Sequence, residues 1–373
     1  MIKFVALAPG NSEMLGNRAL DRGYMSKLSP EFTFFADLTE ALKAEAYKCM
    51  TVDVFLKDRP TDQALLISYC GWGYWLRKKE LIPAICFSLE SPIVGWYFFH
   101  HLHWIANRFD NLFLWPGSKP RCLSGKAEFH DICWPNLRSS TVNGTSRAER
   151  RLIVMINSNK RAFQLNTARI SARSPVKSLA WVGYHAYGRI VNKIDPWMKS
   201  ELYIERLEAI QHFGSCSGFD LFGQGWDKPI PDLEKRLRPF IERCYRGSFP
   251  RGEDFKLELL SKYKFSLCFE NTSFPGYITE KIFDCFFAGC IPVYLGAPDI
   301  LNYIPAETFV DYRQFKSHNE LSDFLNSMSE QEAQRYLDAA REFMASPLFD
   351  KFQSSSLISC MVAALNSVRD QYS

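Results

Sequence analysis

A series of short, almost unbroken apolar runs constrains this chain more than any other feature. KFVALA (3–8), ALLISYC (64–70), PAICFSL (83–89), NLFLW (111–115), LIVMI (152–156), FDLFG (219–223), YKFSLCF (263–269) and CIPVYLG (290–296) are each too short for a typical helix. They also lack the polar–apolar alternation of a strand with one wet face. Strands of this kind are buried on both sides, as in parallel sheets covered by helices. Helix-patterned segments separate them: LTEALKAEAYKC (38–49), stretches near 201–213, 253–262 and 279–289, and a tail at 330–368 broken at SPLF. IVGWYFFHHLHWIANRF (93–109) reads as one further helix and VDVFL (52–56) as one further strand. The alternation predicts an α/β layer structure with mostly parallel sheets.

The chain has 373 residues, and at roughly 150 residues per domain that length predicts two domains. The polar stretch LRSSTVNGTSRAERR (137–151) is the natural linker between two α/β halves. A net charge of +4, from 45 basic and 41 acidic residues, points neither to nucleic acid nor to a membrane, and is compatible with a local anion-binding cleft. The 11 cysteines are scattered singly without CxxC pairs, which argues against a disulfide framework or a zinc site and for a reducing compartment. The start, MIKFVALAPGNSEM, has no signal-peptide pattern. No apolar run reaches the length of about 18 residues that a spanning helix needs. The expectation is a cytoplasmic protein without a membrane span; peripheral membrane association stays open.

One polar loop carries more specific groups than a wet connection requires. FENTSFPGYITEK (269–281) lies between YKFSLCF and the run IFDCFFAG. Pro275-Gly276 marks a turn and Thr279 is a candidate N-cap. Ile278, Ile282, Phe286 and Gly289 fall on one helical stripe, and Gly289 ends the helix before CIPVYL returns as a strand. The unit is therefore strand–helix–strand, with its polar loop at the carboxyl end of a strand. Ligands of open α/β sheets bind there, and a helix N-terminus attracts phosphate. A lysine in a first helical turn opposes the helix dipole unless an anion is present to share. Lys281, beside Glu280, thus points to an anionic ligand. Glu270 is assigned to bracing the loop from behind.

These residues also resemble a known family. YKFSLCFENTSFPGYITEKIFDCFFAGCIPVYLGAP is similar to the donor-binding signature of the α1,3/α1,4-fucosyltransferases, glycosyltransferase family 10. IVMINSNK, ELYIERLEAI and FDLFGQGWD resemble further family segments, and CFSLESP resembles the segment bearing the family's catalytic carboxylate. The resemblance implies a GT-B fold: two Rossmann-like domains facing a central cleft. Residues 1–145 would bind the acceptor and residues 146–373 GDP-fucose, with the last helix able to pack back on the first domain. It implies inverting transfer of L-fucose from GDP-β-L-fucose to a glycan hydroxyl, α1,3 or α1,4 on GlcNAc or Glc of a LacNAc-type chain or surface polysaccharide. By match, Glu90 is the general base; it also follows an apolar run, at a strand end where a cleft would lie. Glu280 is matched to the anomeric centre. The matched donor-binding residues are Ser158, Asn159, Lys160, Arg206, Asn271, Tyr277, Glu280 and Lys281. No cofactor is required and no metal site is expected, a divalent metal being at most stimulatory.

The basic, aromatic-interleaved segment 162–200, with Arg169, Arg173, Lys177 and Lys193, lengthens an interval relative to the family and reads as a surface insertion rather than a nucleic-acid contact. Against the family, the expectation is a chain without the C-terminal heptads and basic tail of some bacterial members and without the stem and anchor of the animal enzymes. HHLH (100–103) lacks carboxylate or cysteine partners at suitable spacing and reads as structural. Two other readings stay open: the same fold with another nucleotide sugar, and a non-catalytic protein binding glycan or nucleic acid. Since Glu90, Glu280 and Lys281 are all present, catalysis is the leading one.

Overall fold

A computed structural model describes residues 2–28, 32–59, 61–71, 78–138, 141–142, 146–159, 183, 186–188, 190–191, 193–228, 234–248 and 253–372. The apolar runs form two parallel sheets. The first has six strands, β1 (Phe4–Ala8), β2 (Lys48–Thr51), β3 (Ala64–Tyr69), β4 (Leu81–Phe87), β5 (Asn111–Leu114) and β6 (Glu128–Asp131), in the order β2-β1-β3-β4-β5-β6. The second has five, β7 (Arg151–Ile156), β8 (Phe219–Phe222), β9 (Tyr263–Phe269), β10 (Ile291–Leu295) and β11 (Val310–Asp311), in the order β11-β10-β9-β7-β8. Every described strand pair is parallel.

Each sheet is covered on both faces, which explains why its strands lack alternation. In β9, Phe265, Leu267 and Phe269 enter one apolar cluster while Cys268 enters the cluster on the other side. Pro83 lies within β4, where its missing N–H would break a ladder; the register against β3 shifts at that point, between Leu66 and Ile67. Two units facing each other across a cleft constitute the GT-B architecture.

Three local expectations are corrected. VDVFL is not a strand but part of the helix Val52–Asp58. The sheet edge is already occupied by KCMT, paired with β1, and Val52 and Phe55, three residues apart, turn one buried face inward. Asp53 in the first turn accepts the Gly16 N–H at 3.0 Å. The stretch 93–109 is not one helix but two, Trp96–His100 and Leu102–Ile105. They meet at His101, whose Nδ1 lies 2.8 Å from the Tyr97 carbonyl. The helix expected over 38–49 runs instead from Thr33 to Ala44, its last expected residues, Lys48 and Cys49, belonging to β2. The helices Arg22–Leu28, Glu234–Cys244 and His318–Ser327, and strands β6 and β11, were not anticipated.

Two segments of the second unit are built into the first. The last helix, Ser354–Gln371, places Leu357, Ile358, Met361, Leu365 and Val368 in the first unit's core. Phe274 and Tyr277, from the FENTSFPGYITEK loop, enter that same core. No described helix is long and apolar enough to cross a membrane.

Candidate active site

In the second sheet β7 has β8 on one side and β9 on the other, so chain order reverses between β7 and β9. The carboxyl ends of those strands open a crevice, the standard position for a ligand in such sheets. A cavity of about 550 Å³ lies there, bounded by both units. The first unit contributes an aromatic wall with Phe32, Phe34, Phe35 and Tyr69, together with Glu90 just beyond β4. The second contributes polar groups: Asn157 and Ser158 after β7, Arg206, Lys256, Asn271, Tyr277, Glu280 and Lys281.

The loop between β9 and its helix is held from beneath. Glu270 is fully buried, at 0% exposure. Its Oε1 accepts the Thr279 N–H at 2.8 Å, its carboxylate accepts the Thr279 hydroxyl, and its Oε2 accepts Lys281 Nζ–H at 2.7 Å. Glu270 is a brace. Thr279 stands at the N-cap position of the helix Glu280–Ala288 but makes no capping bond of its own, its hydroxyl being given to Glu270. Gly289 closes that helix in the left-handed conformation at φ 61°, the geometry glycine adopts without steric cost.

Arg206, on the helix Tyr203–Phe213, is 4% exposed. Its Nη2 donates to the Phe269 carbonyl at 2.7 Å and to Asn271 Oδ1 at 2.9 Å. Its Nε has no hydrogen-bond partner among the described residues. Lys281 is committed to Glu270, whereas the hydrogen bonds of Arg206 described here all go to neutral acceptors. Glu270 and Glu280 lie near enough to answer part of its charge, and the position of Arg206 on the cavity wall also suits it to an anion in the cleft. Asn271 is shared between Arg206 and the Tyr277 hydroxyl, 3.4 Å from its Nδ2. Burial, with Glu270, Glu90 and Glu280 nearby, pushes the Tyr277 phenol well above its usual range. Burial and Glu90 do the same to Tyr69. Both phenols are therefore neutral donors facing carboxylates.

Glu280 behaves differently. Burial alone would raise its pKa, but Lys281 and Lys256 outweigh that effect and hold it at about 2. Lys281 Nζ is 3.8 Å and Lys256 Nζ 3.6 Å from its Oε1. It is a permanent anion at neutral pH. Glu90 is fixed by its backbone: its N–H donates to Ser88 Oγ at 3.2 Å and its carbonyl accepts Trp115 Nε1–H at 2.9 Å.

Glu90, Ser158, Arg206, Asn271, Tyr277, Glu280 and Lys281 thus line one cavity. Asn159 does not: its Nδ2 donates to the Gly225 carbonyl at 3.0 Å and it is absent from the cavity wall. Its backbone is tied to the same segment after β8, the Asn159 N–H donating to the Gln224 carbonyl at 2.9 Å. Lys160 and most of 162–200 lie outside the described residues. Of HHLH, His100 is 3.2 Å from Asp195 Oδ2 and His103 is exposed. Among the described residues no cluster of His, Cys, Asp or Glu could hold a metal ion.

Sequence reasoning missed Lys256, Arg138 and Asp284. Asp284 is 1% exposed and paired with Lys256 Nζ at 2.6 Å and Arg138 Nε at 2.7 Å. The available signal was an aspartate inside the apolar helix IFDCFFAG, since a buried carboxylate demands cations.

Residues 192–370 match the family model described as glycosyltransferase family 10 (fucosyltransferase), C-terminal. A 70-residue segment is 46% identical to the α-(1,3)-fucosyltransferase FucT of Helicobacter pylori, covering 19% of this chain and 15% of that protein. A 109-residue segment is 34% identical to mouse 4-galactosyl-N-acetylglucosaminide 3-α-L-fucosyltransferase 9, covering 29% of this chain and 24% of the relative. The aligned parts therefore span a quarter or less of these relatives' lengths. In fold, the crystal structure of Anabaena Alr3699/HepE in complex with UDP-glucose aligns over 98% of this chain and 100% of its own, with 12% identity and a TM-score of 0.50. Residues 192–370, which carry the Glu-Lys helix at the mouth of the cleft, therefore match the glycosyltransferase family 10 (fucosyltransferase) C-terminal domain.

Proposed function

We propose that the protein is an inverting fucosyltransferase that moves L-fucose from GDP-β-L-fucose to a hydroxyl of a glycan acceptor. The observation that carries the proposal is the division of one cleft: Glu90 on the wall of the first unit, and Arg206, Glu280 and Lys281 on the wall of the second. Glu90 takes the proton of the acceptor hydroxyl. The hydroxyl oxygen attacks the anomeric carbon from the face opposite GDP, and the bond from that carbon to the phosphate oxygen breaks, its electron pair leaving with GDP. A single displacement inverts the β-linked donor to an α-linked product. Arg206 and the N-terminus of the helix Glu280–Ala288 answer the charge developing on the departing diphosphate. Glu280, ionised throughout, faces the positive charge that develops on the sugar. On this reading the chemistry asks for no metal, because Arg206 and the helix N-terminus take the role a divalent ion would fill. The 11 free cysteines support a reducing, cytoplasmic setting as part of the same proposal.

The test is a thermal-shift comparison of GDP-fucose, GDP-mannose and UDP-galactose, followed by assay of released GDP with a glycan acceptor array. Stabilisation by GDP-fucose above the other two, with acceptor-dependent release of GDP, supports the proposal. Preference for another nucleotide sugar reassigns the donor, and stabilisation by glycan alone reassigns the protein as a binding module.

A further inference from the structure

Lys256 lies on the helix Glu253–Leu260, outside the motifs that point to the cleft, yet it lines the cavity wall. Its ammonium is fastened to Asp284, 2.6 Å away, and reaches to within 3.6 Å of Glu280 Oε1. Asp284 sits one helical turn beyond Glu280, so the two carboxylates share a face of the helix. Arg138, from the segment that leaves the first unit, donates from Nε to the other oxygen of Asp284 at 2.7 Å. A carboxylate at 1% exposure between two cations is firmly anchored. The tip of Lys256 is therefore fixed in place, in contrast to the mobile ammonium of a surface lysine.

Lys281 approaches Glu280 as well, but its shorter contacts are to Glu270 at 2.7 Å and Thr279 Oγ1 at 2.8 Å. It belongs to the brace beneath the loop. Among the described residues, Arg138, Arg206, Glu90, Glu270, Tyr69, Tyr203 and Tyr277 are the other charged or titratable groups that line this pocket or bear on it. Lys256 is the cation that meets Glu280 from a different helix.

We propose that Lys256, anchored by Asp284, is a positioning residue for the transfer reaction: it fixes the Glu280 carboxylate beside the sugar ring of the bound nucleotide sugar, so that Glu280 serves as a stationary anion and Glu90 alone carries the proton. This rests on the donor-site reading of the cleft. It assigns Lys256 to the sugar end of the donor, not to the diphosphate, and the two assignments separate experimentally because GDP lacks the sugar.

The experiment uses the full chain with Lys256→Met, Lys256→Arg and Asp284→Asn. It measures GDP and GDP-fucose affinity by calorimetry, kcat and KM for transfer, and thermal unfolding. Lys256→Met is expected to bind GDP within about twofold of the parent and to lose turnover on the order of 100-fold, the scale of a misplaced reacting group. Lys256→Arg restores most of the turnover, and Asp284→Asn, which frees the Lys256 tip, lowers turnover in the same sense. Equal loss of GDP and GDP-fucose affinity in Lys256→Met overturns the proposal in favour of a phosphate contact. Unchanged turnover overturns it outright. If Lys256→Met does not fold, Asp284→Asn and Lys256→Arg decide by the same comparison. A parent protein that binds neither GDP nor GDP-fucose refutes the donor reading itself, a result distinct from the failure of Lys256 alone.

Discussion

Glu90, Glu270 and Glu280 are three glutamates at one cleft, and their surroundings give them three different tasks. Glu270, buried against Thr279 and Lys281, is structural. Glu280, between two lysines, is held ionised. Glu90 lines the cleft opposite both and is the one placed to accept a proton. Glu90→Gln is expected to reduce turnover by about 100- to 10,000-fold, the usual contribution of a general base, while GDP affinity measured by calorimetry is retained; surviving turnover would move the base elsewhere. The Glu280 ion also makes a pH prediction. Its pKa of about 2 in the folded state lies below the ordinary 4.5, so in that interval the unfolded chain binds more protons. The stabilisation is complete above about pH 4.5 and is lost as pH falls toward about 2. Denaturant midpoints of the parent and of Glu280→Gln, compared between those limits, should converge as the pH is lowered. The sequence singled out these carboxylates; their separate surroundings depend on which partners the fold brings to each, such as Lys256 to Glu280.

At the level of elements, the strand–helix–strand unit spanning β9, Glu280–Ala288 and β10 could be read from the sequence because each of its signals is local: an apolar run, a Pro-Gly turn, an amphipathic stripe and a closing glycine. Its seating against the first unit could not. Gly276 has φ 73°, and a Cβ there would meet Pro116 Cδ at 2.4 Å. Gly276→Ala is expected to cost about 1–2 kcal/mol for the left-handed backbone and about 1–3 kcal/mol for overpacking. Gly16→Ala is the control: Gly16 has φ 68° and no atom within 4 Å of the added Cβ, so only the backbone cost applies. Chemical denaturation of both variants checks the difference, and equal losses would show that the contact with Pro116 yields freely. VDVFL shows the opposite limit, since a short apolar run does not distinguish a strand from a helix until the neighbouring sheet position is known to be filled.

At the scale of the whole molecule, Trp115 connects the two walls of the cleft. Its indole N–H holds the Glu90 carbonyl at 2.9 Å, and its ring meets Tyr277 edge-on with centroids 5.1 Å apart. Beside it the Gly117 N–H donates to the Pro275 carbonyl at 3.2 Å. Glu90, the proposed base, and the loop 269–281 are thus set in register through one side chain. Trp115→Phe removes the N–H and is expected to lower kcat by about 10-fold or more, given that a displacement near 1 Å can cost about 100-fold, with GDP affinity little changed. Parallel loss of GDP affinity and kcat would instead indicate general unfolding of the interface. The sequence by itself determined the two-sheet α/β class, most strand and helix positions, and the loop 269–281 with its Glu-Lys pair opening a helix, because those follow from the spacing of apolar residues and from turn chemistry within a few residues. Only the tertiary structure decided that Phe274 and Tyr277 belong to the first unit's core, that Asn159 turns away from the cleft, and that Lys256 and Arg138 meet at Asp284. Those outcomes depend on close packing and charge pairing between separate segments, from Asn159 and Gly225, 66 positions apart, to Arg138 and Asp284, 146 positions apart, and no local pattern encodes which partner a buried charge will find.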